Sequence, residues 1–74
     1  MAKVLLINPN SSREVTAAVE RMVAPLGRSL GVEVDCRTLD DGPPGIETQA
    51  DVESVVVPTA ALISRTPADA YVIA

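Results

Sequence analysis

Apolar and polar positions follow two different periods along this chain, and the switches between them mark out its elements. Val4, Leu5, Leu6 and Ile7 form an unbroken apolar run, the pattern of a strand covered on both faces. The run stops at Asn8-Pro9-Asn10-Ser11-Ser12, where Pro9 fixes φ and has no N–H for a ladder. The period then becomes helical. Val15, Ala18, Val19, Met22, Val23, Leu26 and Leu30 recur at spacings of three and four, while Arg13, Glu14, Glu20, Arg21 and Arg28 lie off this stripe. Ser11 followed by Glu14 has the spacing of a capping box, and Gly31 is the natural stop. Pro25 falls inside the stripe and is expected to kink or split the helix.

Val32, Val34 and Cys36 then alternate with Glu33, Asp35 and Arg37, and Leu39 continues the apolar set. A period of two with one wet face predicts a second strand, nearer the sheet edge than the first. Asp40-Asp41-Gly42-Pro43-Pro44-Gly45 reads as a loop. Val52, Val55, Val56, Thr59, Leu62 and Ile63 share one face of a second helix, with a kink, or a break into two coaxial helices, expected at Pro58. Thr66 to Asp69 connect to a last apolar strand, Ala70-Tyr71-Val72-Ile73-Ala74. The predicted elements are strand 3–8, helix 12–30, strand 32–39, helix 47–65 and strand 70–74. Strands separated by helices of this length imply βαβ units, hence an α/β fold with a three-layer open parallel sheet.

Composition narrows the chemistry. Seventy-four residues make one small domain. With one Tyr and no Phe or Trp, the core must be built from Val, Leu, Ile and Ala. A net charge of -4 leaves no basic patch to meet phosphates, which argues against nucleic acid as a partner. An anionic small molecule would have to be held by local amides and helix dipoles. One Cys and no His exclude an internal disulfide and argue strongly against a zinc site. The lone thiol fits a reduced, cytoplasmic setting. The first apolar run is too short for a signal core, and no run approaches membrane-spanning length, so no membrane partner is expected.

Candidate chemistry concentrates at the first turn. As plain structure, Asn8 to Ser12 make a strand-to-helix turn with a serine cap. As a site, the amides of the first helical turn would point at an anion or carbonyl, with Asn10 and the serine hydroxyls as further donors. The carboxyl end of the first strand is where open α/β sheets bind ligands, which raises the second reading. The Gly/Pro-rich loop after the second strand leaves from the same edge and would place Pro43, Pro44 and Gly45 beside that crevice, with Asp40 and Asp41 solvated. Cys36 is expected inside as a small hydrophobe. Tyr71 is expected in the core with its hydroxyl at a sheet edge. There is no dinucleotide fingerprint, P-loop or G-x-S-x-G elbow, and without His no Ser-His-Asp triad forms within this chain.

Leu6-Ile7-Asn8-Pro9-Asn10-Ser11-Ser12 followed by Val15-Thr16 resembles the start of hydantoin and allantoin racemases, within the aspartate/glutamate racemase superfamily. Gly42-Pro43-Pro44-Gly45-Ile46-Glu47 resembles their second loop, and Tyr71-Val72-Ile73-Ala74 their third strand. The resemblance spans the chain and makes it the N-terminal part of one lobe of a two-lobed enzyme with the active site between the lobes. It implies a cofactor-independent racemase that uses two cysteines, one from each half, as acid and base at a stereocentre beside a carbonyl. It implies a small-molecule substrate (a hydantoin, an amino-acid derivative or a carboxylate) and a homo-oligomer for the full-length protein. Both expected cysteines fall beyond Ala74, and Cys36 occupies neither position. By resemblance, Asn10, Ser11 and Ser12 hold the substrate's polar atoms, Asn8 and Pro9 shape the turn, and Pro44 and Gly45 line the far wall. Two positions depart from the pattern: Gly45 stands where many relatives have serine, and Thr48 where many have glycine.

Maleate cis–trans isomerases and arylmalonate decarboxylases of the same superfamily are alternatives on the same scaffold. A small non-catalytic α/β binding module of the receiver type is another. It would want acidic residues after the first strand, where Asn8 and Asn10 stand. A truncated remnant that pairs with another chain is a third.

Overall fold

The apolar run Val4–Ile7 lies in a strand covered on both faces, as its pattern predicts, and that strand is the middle one of the sheet. A computed structural model describes residues 1–74. Strand β1 (Ala2–Asn8) lies between β2 (Val32–Thr38) and β3 (Ala70–Ile73), in the order β2-β1-β3, and both pairings are parallel. Leu5, Leu6 and Ile7 are buried because only the middle strand has a neighbour on each side and helices over both faces. The alternating strand β2 is an edge strand, and the fold is α/β with an open parallel sheet.

The register separates the two faces. Leu5 and Ile7 pair with Asp35 and Arg37 and share a face with the core cluster of Leu39, Val55 and Leu62. Leu6 and Asn8 pair with Cys36 and Thr38 on the opposite face. Helix α1 (Arg13–Leu30) covers that second face, with Gly27 pressed against β2. A Cβ on Gly27 would lie 2.9 Å from the Val32 carbonyl oxygen and 3.0 Å from Val34 Cγ2. Glycine here lets helix and strand approach closely. Gly31 ends α1 in the left-handed conformation, at φ 68°.

Helix α1 departs from its predicted form in three ways. It runs unbroken through Pro25. The carbonyl that Pro25 leaves unpaired, that of Arg21, lies on the exposed side of the helix, where water can satisfy it. Its N-cap is Ser12, which accepts from the Val15 amide at 3.3 Å, so the Ser11/Glu14 capping box does not form. Only part of its apolar stripe is covered. Thr16 and Gly27 are buried and Val19 and Val23 half-buried, while Val15, Met22, Leu26 and Leu30 remain exposed. The helix sits over β1 and β2, which leaves that flank with nothing beneath it.

The second helical segment is two helices, α2 (Gln49–Ser54) and α3 (Val56–Arg65), joined at Val55 rather than at Pro58. Pro58 is the third residue of α3, in the first turn, where its missing N–H leaves no bond unmade. Helix α2 starts at Thr48, which forms a capping box with Asp51. Tyr71 is half-exposed rather than in the core. Its hydroxyl donates to the Thr66 carbonyl at 2.8 Å and accepts from the Ala68 amide at 3.1 Å, tying down the connector before its own strand. No helix is long and apolar enough to cross a membrane.

Candidate functional site

Every strand of a parallel sheet delivers its following loop to the same edge, so the loops after β1 and β2 meet. Two backbone contacts fasten them, and a third closes the loop after β2 on itself. The Leu39 amide donates to the Asn8 carbonyl at 3.0 Å, the Gly42 amide to the Leu39 carbonyl at 2.8 Å, and the Ser11 amide to the Pro43 carbonyl at 2.9 Å. Gly42 makes this possible. A Cβ there would lie 2.6 Å from the Pro9 carbonyl oxygen and 3.1 Å from that of Leu39. Among the sequence-predicted loop residues, Pro43 supplies the contact, whereas Pro44 is exposed. Gly45 has no steric need to be glycine, since a Cβ would meet only Glu47 Oε1, at 4.0 Å.

Within the first turn, side chains consume most of the backbone donors. The Asn10 amide donates to Asn8 Oδ1 at 3.3 Å and the Ser12 amide to Asn10 Oδ1 at 2.8 Å. With the Ser11 and Val15 amides also occupied, and the Thr16 amide bonded to the Ser12 carbonyl at 3.3 Å, the amides of Arg13 and Glu14 alone in this stretch have no protein acceptor. The expected fan of amides is therefore narrower than the sequence suggests. The donors left over are the Arg13 and Glu14 amides, Asn10 Nδ2 and the hydroxyls of Ser11 and Ser12. All belong to five consecutive residues at the positive end of an 18-residue helix, a setting that favours a carbonyl or carboxylate oxygen.

Asn8 is 3 % exposed and faces inward. Its Nδ2 lies 2.9 Å from Asn10 Oδ1, 3.1 Å from the Ser12 carbonyl oxygen and 3.1 Å from Thr16 Oγ1. Thr16 Oγ1 is in turn 2.7 Å from Thr38 Oγ1. Thr16 and Thr38 were invisible as site residues in the sequence. Thr16 entered the sequence reading only within the motif that ends Val15-Thr16, and Thr38 not at all.

The turn is an open surface rather than an enclosed cavity. On one flank lies a groove of about 650 Å³ that includes Arg13, Thr38 and Asp40, with Arg13 and Asp40 paired at 3.1 Å. On the other lies an apolar groove of about 440 Å³ between Pro9, Ile46, the helices α2 and α3, and Ile73. Cys36 is half-buried on the α1 side of β2 rather than sealed in the core. Burial, with the nearby Glu20 and Asp35 carboxylates, pushes its thiol above the usual range. A thiol so shifted stays protonated near neutral pH and is a poor base or nucleophile. No three His, Cys, Asp or Glu residues are grouped to hold a metal ion.

The chain is thus an open parallel α/β sheet with a polar, donor-rich turn after its first strand. Residues 4–74 match the model of the Asp/Glu/hydantoin racemase family, and the chain belongs to that family. Membership at this level carries racemase-type function in general. No curated protein and no solved structure matches the chain.

Proposed function

We propose that Asn8 to Ser12 form one wall of the active site of a cofactor-independent racemase of the hydantoin or allantoin type. The observation that carries this reading is the set of unspent donors at the start of α1, on a chain of the racemase family. A hydantoin's stereocentre carries a C–H next to a carbonyl. When a thiolate removes that proton, the C–H electron pair moves into the C–C bond and charge builds on the carbonyl oxygen as an enolate. Donors fixed in place before the reaction stabilise that charge without reorganising. A thiol on the opposite face gives a proton to carbon, and the enolate collapses to the inverted enantiomer. Asn10 Nδ2 and the Arg13 and Glu14 amides are suited to the oxygen, Ser11 and Ser12 to a second polar atom, and Pro44 and Gly45 to the facing wall. The two thiols belong to residues beyond Ala74 in this reading, and Cys36 takes no part.

The test is loss of optical rotation of a chiral 5-substituted hydantoin with the full-length protein. Racemisation is expected, and Asn10→Ala is expected to slow it by about 10²-fold, the usual effect of deleting one such donor. An Asn10→Ala variant of unchanged rate removes Asn10 from the site. Turnover of maleate or an arylmalonate in place of the hydantoin replaces the reaction while leaving the scaffold argument intact.

A further inference from the structure

Backbone groups cannot exchange donor for acceptor, and three of them determine the orientation of both asparagine amides. The Ser12 amide can only donate, so the Asn10 atom 2.8 Å away is Oδ1. The Ser12 carbonyl can only accept, so the Asn8 atom 3.1 Å away is Nδ2. The Asn10 amide can only donate, so the Asn8 atom at 3.3 Å is Oδ1. Asn8 Nδ2 thus meets Asn10 Oδ1, and the Asn10 oxygen accepts two bonds. Asn10 Nδ2 is left with no protein partner. It reaches solvent, since Thr59 Oγ1 is the one fully buried side-chain polar atom without a partner.

We infer that Thr16 and Thr38 are positioning residues that keep the Asn8 amide seated against Asn10 Oδ1, and so hold in place the turn from which Asn10 shows its nitrogen to the ligand. The inference rests on the proposed function for its ligand, but not for its geometry. Thr16 Oγ1 accepts from Asn8 Nδ2, so its own proton must go to Thr38 Oγ1 or to the Ser12 carbonyl, 3.3 Å away. The two hydroxyls tie the end of β1 to the first turn of α1 and to the last residue of β2. Thr16 is 7 % exposed and Asn8 3 %, so water cannot replace a lost partner there. The consequence is a site supported from behind: Asn10 touches the ligand, the Ser12 and Asn10 backbone groups set which end of each amide faces inward, and Thr16 and Thr38 keep Asn8 seated against Asn10.

Side-chain amide exchange and hydantoin binding, measured by NMR on the full-length protein, test this. In the wild type the Asn8 side-chain N–H protons are expected to exchange slowly and those of Asn10 at solvent rates. Thr16→Val is expected to speed Asn8 exchange and weaken hydantoin binding about five- to tenfold, with Thr16→Ser restoring both. Thr38→Val is expected to do the same to a smaller degree. Asn8→Asp sets a carboxylate oxygen against Asn10 Oδ1 in place of a donor and is expected to weaken hydantoin binding at least as much as Thr16→Val, while the Ser12 amide keeps Asn10 Oδ1 inward. Fast exchange at Asn8 in the wild type, or Thr16→Val with unchanged Asn8 exchange, overturns the inference. Slow Asn8 exchange in a protein that fails to bind hydantoin supports the positioning and counts only against the proposed substrate.

Discussion

Gly42 shows how much of this site depends on one missing side chain. Its Cα packs under the Pro9 carbonyl, so the loop after β2 can touch the turn after β1. Both atoms that a Cβ would strike are backbone oxygens, which cannot swing away as a flexible side chain can. Gly42→Ala is expected to destabilise the chain by about 1–3 kcal/mol through overpacking and to release the Ser11–Pro43 bond. Gly45→Ser, three residues on, meets only the end of Glu47 and is expected to be nearly neutral. Urea midpoints of the two variants against wild type check the pair. The sequence reading gave Gly45 a place in the wall and Gly42 none, because a close approach between Pro9 and Gly42, 33 residues apart, leaves no local trace. The turn from Asn8 to Ser12 was legible for the opposite reason. A strand, a proline, a run of small polar residues and a helix follow one another directly, and each signal is local.

At the scale of elements, helix α2 depends on its first turn. Six residues are too few to hold a helix by propensity, so the cap matters. Thr48 Oγ1 accepts from the Asp51 amide at 3.1 Å, while Asp51 Oδ2 accepts from the Glu47 and Thr48 amides at 3.0 and 3.1 Å. Thr48→Ala is expected to lower stability by about 1 kcal/mol. The Glu47 amide holds the Asp51 carboxyl below its ordinary value and, together with the weaker Thr48 contacts, outweighs the opposing effect of burial. A depressed folded pKa means the cap's contribution is complete above the ordinary carboxylate pKa and is lost as pH falls through the lowered folded value. The Glu47 and Thr48 amides are therefore expected to lose exchange protection on acidification below the usual carboxylate range. Asp51→Asn is expected to abolish that pH dependence. The sequence reading placed this helix start near Glu47 but missed the cap. It expected a kink or a division into two helices at Pro58, and the two helices meet at Val55, next to Ser54, whose i+4 position Pro58 occupies.

For the whole molecule, the decisive fact is how little is covered. Eleven of 74 residues are buried, and the core proper is Leu5, Ile7, Leu39, Val55 and Leu62. Strand β3 carries no charge, and Tyr71, Val72 and Ile73 are 37 %, 44 % and 58 % exposed. The apolar groove beside Ile73 lies on one face of it. An uncharged edge with apolar faces is a template for association. As an isolated polypeptide, residues 1–74 are expected to be marginally stable or to self-associate. Sedimentation that depends on concentration is the expected result. A sharp, reversible, monomeric unfolding transition well above room temperature would sink this expectation.

The sequence by itself determined the order of elements, the parallel α/β class, β1 covered on both faces and β2 nearer the edge than β1. These follow from periods of 2 and 3.6 and from whether an apolar run has a wet side, and such patterns are written in neighbouring residues. It also located the candidate site, through the break at Pro9 and the motif around it. Tertiary structure decided what that site presents. Only folding brings Thr16, Thr38 and the Ser12 backbone around Asn8, consumes most of the turn's amides and turns the Asn10 nitrogen outward. Hydrogen-bond direction depends on which groups meet in space, and residues from β1, α1 and β2 meet there only once the sheet has formed.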